Sequence, residues 1–258
     1  MFSFVYKNID FAHKLDRASS PTEEYFKHIH SFCEILVFVK GNVEYTVESE
    51  TRRLNEGDIV FVYPGKYHFA TVDSSYAYER YVFKFPFDLL PEYLKERVKS
   101  KYWISTNCKK YLSSILRFDE YVNEYNREEL YSLFLCEATK LVIQLCHEDK
   151  EKQQINNEFI SRITDYIETN ICSQITLQTL ADEFHYSKSF IAIEFKKYMR
   201  IPIMLYVRQK KIVHAHLMIL SGVPKTQAAN AVGFETYSTF YRCYKQFSSN
   251  SELNETGD

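Results

Sequence analysis

With 258 residues, a hydrophobic share of 45% and a formal net charge of -2, the chain is long enough for two domains of ordinary size and is neither disordered nor fibrous in composition. No run of about 18 apolar residues occurs, which argues against a helical membrane span, and the opening MFSFVYKNIDFAHKLD lacks the basic-then-apolar order of a secretory signal. Six cysteines (33, 108, 136, 146, 172 and 243) form no CxxC, so reduced thiols in a cytoplasmic setting are expected rather than a disulfide frame or zinc cluster.

Residues 1–87 read as strands. The stretch EILVFVKGNVEYTVES is apolar, then alternating, and Lys40-Gly41-Asn42 between the two parts predicts a hairpin turn. Further punctuation at Glu56-Gly57-Asp58 and Pro64-Gly65 points to short strands in a small barrel or jelly roll. After Pro91 the spacing becomes helical. A helix over 108–125 would gather Leu112, Ile115, Leu116 and Val122, and a second over 127–146 would gather Leu130, Leu133, Phe134, Leu141 and Leu145. The second helix is the expected homodimer seam through Leu130, Leu133, Leu141 and Leu145. The alternative is that these leucines seal the N-terminal domain. The polar run at 147–157 has no apolar period and reads as a linker.

From about Glu158 the chain is helical again. FISRITDYIETNI, TLQTLADEF, SKSFIAIEFKKY, MLYVRQKKIVHAHLMIL, TQAANAV and TYSTFYRCYKQF are separated by turn-like breaks. Two of these segments repeat about 48 residues apart. Ala181 leads four residues on to His185 and Tyr186-Ser187, and Ala229 leads four residues on to Gly233 and Phe234-Glu235. Each copy reads as helix, tight turn, helix, with a small Ala for close approach, a positive-φ turn residue and, in the first copy, Ser187 as N-cap. Between Lys188 and Lys211 seven Lys/Arg face one acid, Glu194, which reads as a phosphate footprint or as a solvated helix face. Phe190, Ile191, Phe195, Phe240 and Tyr244 read as core. His214 and His216, two apart on one helix, do not share a face and read as structural.

Residues 158–248 resemble the DNA-binding domain of AraC/XylS-type transcription regulators. The resemblance rests on Leu180-Ala181, Tyr186-Ser187-Lys188, Phe195-Lys196-Lys197 and above all Val232-Gly233-Phe234-Glu235 with Ser238, Phe240, Arg242 and Tyr244-Lys245. Arg200 stands where the family usually has Gly, and Ala228 where it has a larger aliphatic. The resemblance implies a double helix-turn-helix. Its groove-facing positions would be Ser189, Ala192, Ile193 and Lys196 in the first recognition helix and Thr236, Tyr237, Thr239 and Arg242 in the second, with Lys188, Lys197 and Lys245 beside them. Ala192 and Ile193 could touch only thymine methyl groups, and Arg242 is the best hydrogen-bonding reader.

The spacing HxHx3Ex6G from His28, His30, Glu34 and Gly41, followed by Gly57, Pro64, Gly65 and His68, resembles the two motifs of the cupin barrel. Three readings of His28, His30, Glu34 and His68 stand open: ligands of a divalent metal, for which imidazole and carboxylate suit iron, manganese, zinc or nickel; the lining of a pocket for a small effector, often a sugar in this family; and a structural hydrogen-bonded group. The resemblance favours the effector pocket, with no obligatory cofactor.

The expected fold is α+β: a cupin-like barrel over 1–100, a helical dimerisation segment and linker over 101–150, and a double helix-turn-helix domain over 151–258. The expected function is an effector-responsive, sequence-specific DNA-binding transcription regulator rather than an enzyme. Its partners would be promoter double-stranded DNA, a small molecule such as a carbohydrate, a second copy of the chain and, as a further candidate, RNA polymerase, without a membrane. The alternative is a cupin metalloenzyme with a helical appendage. No nucleophile elbow, P-loop or dinucleotide fingerprint is present.

Overall fold

The structure, a computed structural model, describes residues 1–17, 28–73, 75–99, 101–105, 109–147 and 157–251. The expected linker, 147–157, falls outside them except at its two ends.

The described residues form nine strands, the last of them after the first helix: β1 (Phe2–Tyr6), β2 (Ile9–Arg17), β3 (Cys33–Lys40), β4 (Val43–Val47), β5 (Glu50–Arg53), β6 (Ile59–Val62), β7 (His68–Val72), β8 (Ala77–Phe85) and β9 (Tyr102–Ser105). They form a six-stranded antiparallel sheet, β1-β2-β8-β3-β6-β9, and a three-stranded one, β5-β4-β7. The apolar run of β3 has a physical cause, because this strand is buried on both faces. Cys33, Ile35 and Val37 point to a helical layer, while Leu36 and Phe38 point between the sheets. Strands β6 and β8 divide in the same way, with Phe61 and Phe83 outward and Val60 and Val82 inward.

The turn at Lys40-Gly41-Asn42 does not close a hairpin, contrary to the sequence expectation. Strand β3 ends in the large sheet and β4 begins in the small one. Gly41, at φ +141°, makes this corner where an added Cβ would lie 3.0 Å from the Ala77 carbonyl oxygen. Strand β9 was not expected; four residues are too few to show alternation. It adds an edge to β6.

The helical layer consists of α1 (Glu92–Val98), α2 (Lys109–Leu116), α3 (Phe118–Glu124) and α4 (Arg127–His147). The single helix expected over 108–125 is two, broken at Arg117. The break turns Phe118 inward and leaves Leu116 42% exposed. Leu130, Leu141 and Leu145 are buried in the core shared with the large sheet, and Leu133 is half-buried against it. These leucines seal the sheet domain, so they are not free to form the dimer seam first assigned to them.

The last six helices are α5 (Glu158–Thr169), α6 (Leu177–Phe184), α7 (Lys188–Met199), α8 (Ile203–Leu220), α9 (Lys225–Ala231) and α10 (Tyr237–Ser251). Helices α6 and α7 make one close pair, α9 and α10 the other, and α8 packs on both. The turn inside the first pair is a left-handed His185 (φ 57°), and the second has Gly233 (φ 72°). Ser187 accepts from the Phe190 amide as N-cap. Arg200 ends α7 as a left-handed cap at φ 54°, bearing the strain that Gly would avoid. The core of α5–α8 is continuous with Ile29, Tyr67 and Phe69 of the small-sheet side. The core around α9 and α10 is separate and built on small residues: Ala215, Ala228, Ala229 and Val232 around Phe240. Among the described residues no helix is long and apolar enough to cross a membrane.

Candidate functional site: a buried His/Glu centre and two exposed helix faces

Glu34 sits on the inner face of β3, only 4% exposed. A carboxylate there needs compensation, since burial strips its hydration. It comes from the other sheet and the segment before β3. His68 Nε2, from the start of β7, is 3.8 Å from Glu34 Oε1, and His30 Nε2 is 3.4 Å from Oε2. Tyr45 of β4 donates its hydroxyl to Oε1 at 3.3 Å. His28 exchanges backbone hydrogen bonds with His68, N to O at 3.1 and 3.2 Å, and its ring lies edge-on to that of His68 at 4.2 Å. One ligand atom from each of the four residues lies within 4.8 Å of all the others.

Two further bonds fix the chemistry. His30 Nδ1 lies 2.9 Å from the Phe32 carbonyl oxygen, and His68 Nδ1 lies 2.9 Å from that of Lys66. A carbonyl can only accept, so each Nδ1 carries the proton and each Nε2 faces the centre. Both Nε2 atoms are buried without a hydrogen-bond partner. Burial, with His28 nearby, pushes His68 well below the usual imidazole range. Burial alone would raise the Glu34 carboxyl, but His30 and His68, with Lys84 further off, hold it well below the usual carboxylate range. The result is a buried carboxylate with two imidazole Nε2 atoms aimed at it, the Nδ1 of each ring anchored to a carbonyl. That is the arrangement protein metal sites use to orient ligands. Spacings under 5 Å enclose one atom. A sugar ring needs a cavity of several hundred Å³.

The exposed faces are built differently. On α7, Lys188, Ser189, Ile193, Lys196 and Lys197 are exposed and Ala192 is half-exposed; on α10, Thr236 at the helix entry, Tyr237, Thr239, Arg242 and Lys245 are all exposed. Each set lies outward on one helix of a pair, over buried Ile191 and Phe195 in the first and Phe240 and Tyr244 in the second. Phe190 departs from expectation. It is 41% exposed, stacked on Tyr186 at 4.8 Å instead of entering the core.

The basic run at 188–211 is also divided. Lys210 is buried against Glu48, and the Lys211 ammonium donates to the Ser173 and Val232 carbonyls at 2.7 Å. Neither can serve a phosphate. Arg208 remains exposed, in a cleft between the pairs that is also lined by Gln174, Phe234 and Thr239. This split is not legible from the residues alone, because lysine spacing carries no record of what each ammonium meets. His216 Nδ1 and the Tyr244 hydroxyl are 3.0 Å apart, which fits the structural reading of that residue.

Residues 13–106, a span that contains all four residues of the centre, match the model of the AraC-like ligand binding domain. The Escherichia coli (strain K12) protein YkgA, whose name makes it a candidate HTH-type transcriptional regulator, is 23% identical over 97 residues, 37% of this chain and 41% of that one. The chain thus spans less than half the length of this curated relative. Among solved structures, the C-terminal domain of the two-component response regulator yesN from Fusobacterium nucleatum is 29% identical over 35% of this chain and 96% of its own, with a TM-score of 0.34. Apo ToxT K231A from Vibrio cholerae (12% identical, 95% of each chain) and the AraC-like transcriptional activator CuxR (13%, 86% of this chain and 80% of that one) give TM-scores of 0.40 and 0.42. Superpositions at these scores carry no weight for function. The resemblance to AraC-type transcription regulators stands on the N-terminal match and the curated relative.

Proposed function

We propose that the protein is a sequence-specific DNA-binding transcription regulator whose cupin-like sheet domain responds to a divalent metal ion. The observation that carries the DNA reading is the twice-built helix pair. Two outward helix faces with Lys, Thr and Arg are joined by α8, which at 18 residues is about 27 Å long. That length suits two recognition helices, α7 and α10, entering successive major grooves about 34 Å apart. Lys188, Lys196, Lys197 and Lys245 are the phosphate or groove-edge contacts. Ser189, Ala192, Ile193, Thr236, Tyr237, Thr239 and Arg242 are the base-facing set, and Arg208 is an added phosphate contact between them.

The metal reading is supported by the paired Nε2 atoms of His30 and His68 beside ionised Glu34, with His28 as the fourth ligand. A bound ion would be held by Glu34 of the large sheet, His68 of the small sheet, and His28 and His30 of the segment before β3. Imidazole and carboxylate suit zinc, nickel, manganese or iron. A carbohydrate at these four residues is less well supported, because their spacing leaves room for one atom. The same donor set could serve a metalloenzyme, but the two helix pairs favour regulation. Homodimerisation is proposed through the outer face of α4, where Leu135, Cys136, Thr139 and Ile143 remain exposed or half-exposed.

Calorimetric titration of the full chain with Zn²⁺, Mn²⁺ and Ni²⁺ tests the centre. Stoichiometric binding that Glu34→Ala abolishes is expected; equal binding by wild type and variant rejects it. Footprinting on DNA upstream of the protein's own gene tests the rest. Absence of any protected site rejects the regulator.

A further inference from the structure

The turn between β4 and β5 contains a residue that the turn itself does not favour. Glu48 sits at φ 51°, in the left-handed region, where a glycine would be less strained. It is also 4% exposed. Its carboxylate leaves the sheets and enters the helical half. Oε1 accepts from the Lys210 ammonium at 2.5 Å, and Oε2 accepts from the Tyr206 hydroxyl at 2.5 Å, both groups on α8. Lys210 also faces Glu168 of α5 at 3.6 Å, and Glu168 in turn receives the Lys66 ammonium at 2.7 Å. Burial opposes charge on Lys210, but Glu48 and Glu168 outweigh it and raise the ammonium above its usual range. The two halves are therefore joined by alternating charges, buried at Glu48, Lys210 and Lys66 and partly exposed at Glu168, laid over the shared apolar contact of Tyr67 and Phe69.

This junction lies next to the His/Glu centre. His68 is the register partner of Val47, the residue before Glu48. The next residue back along the chain, Tyr67, donates its amide to Glu48 Oε1 at 2.9 Å and accepts the Glu48 amide at its carbonyl at 2.8 Å. Lys66 offers its carbonyl to His68 Nδ1 and its ammonium to Glu168. Both arms of the junction thus start from the two residues next to His68.

We propose that Glu48 is a latch through which occupancy of the centre is communicated to α8 and the first helix pair. The proposal rests on the metal-ion reading above. An ion that draws His68 toward Glu34 fixes the 66–68 segment, and so fixes the carboxylate that α8 grips. A buried ion pair contributes little net stability, so a ligand that prefers one arrangement of it can shift that arrangement. The exposed face of α7 is not covered by this contact. The latch acts by orienting the first pair relative to the sheets, not by hiding it.

The test is hydrogen exchange on the full chain with Glu48→Gly, which removes the carboxylate and relieves the left-handed strain, and with Tyr206→Phe as a milder second variant. Without added metal, Glu48→Gly is expected to speed exchange in α8 and in the β4–β5 turn at least tenfold, and Tyr206→Phe by less, with no change in α9 or α10. Unchanged exchange in both variants overturns the latch. With Zn²⁺ or Mn²⁺, wild type is expected to gain at least tenfold protection in α8, whereas Glu48→Gly binds the ion equally well by calorimetry and gains less than twofold. Full metal-dependent protection of α8 in Glu48→Gly overturns the transmission. If wild type binds neither ion, the metal-ion reading and the transmission fall together, and the metal-free arm still decides whether the latch exists.

Discussion

The two helix pairs share a plan and differ in what supports them. The first, α6–α7, lies over a core that runs from α5 through Phe195 and Tyr206 into Tyr67 and Phe69 of the sheet side, and it is tied there by buried charges. The second, α9–α10, rests on alanines around Phe240 and on the end of α8. The first pair presents Ala192 and Ile193 outward, and the second presents Arg242 and threonines. The difference suggests a division of labour. On the proposed function, the well-supported pair would position the protein on DNA and the lightly supported pair would read by hydrogen bond.

Several measurements would break or sharpen this contrast. The largest effect is expected from truncating the two central phenylalanines. Phe195→Ala should cost about 3–5 kcal/mol of global stability in urea unfolding. Phe240→Ala should instead unfold α9–α10 locally, seen as fast exchange there with the rest protected. Equal global losses would erase the distinction. Next come the two buried lysines. Lys210→Met leaves Glu48 unpaired and should cost about 3 kcal/mol. Lys211→Met strands two carbonyls and should cost about 1–2 kcal/mol. The reverse order in chemical denaturation would place the weight on the second pair.

On DNA, Arg242→Ala should lose about 1–3 kcal/mol of specific affinity. Lys196→Ala should weaken all sequences alike and lower the salt slope by about 1. If Lys196→Ala changes sequence preference more than Arg242→Ala does, the proposed roles are exchanged. Acid should act on the first pair. Glu168 carries a carboxyl that burial would raise but Lys210 and Lys66 hold below its ordinary 4.5. A lowered folded value means stability that is complete above 4.5 and lost as pH falls through the lower value. Exchange in α5 and α8 should therefore rise on acidification before exchange in α9 does. The smallest effect belongs to the turns. Gly233→Ala would place a Cβ 3.1 Å from Lys211 Nζ at φ +72° and should cost about 1 kcal/mol, while His185→Gly should be neutral within about 1 kcal/mol. Thermal melting separates the two.

Much of this was legible from the residues themselves. Helical period, N-caps and the Ala-to-turn spacing located α5–α10 because those signals are local, set within one or two turns of chain. The motif HxHx3Ex6G followed by His68 located the centre because His28, His30 and Glu34 are near neighbours in sequence, and His28 is bridged to His68. Other features depended on residues far apart in sequence. Lys40-Gly41-Asn42 looked like a hairpin, since a turn's residues do not say which sheet receives the next strand. Leu130, Leu141 and Leu145 looked like a dimer seam, since an apolar stripe does not name what covers it. Lys210 and Lys211 looked like phosphate contacts until Glu48 and the Ser173 and Val232 carbonyls were brought to them. The proton positions on His30 and His68 came from carbonyls only two residues away, yet only the folded loop aims them. Sequence by itself determined the elements and the donor set, because covalent spacing and side-chain chemistry are short-range. Tertiary structure decided which charges are buried and paired, because that depends on which distant groups share a space without water.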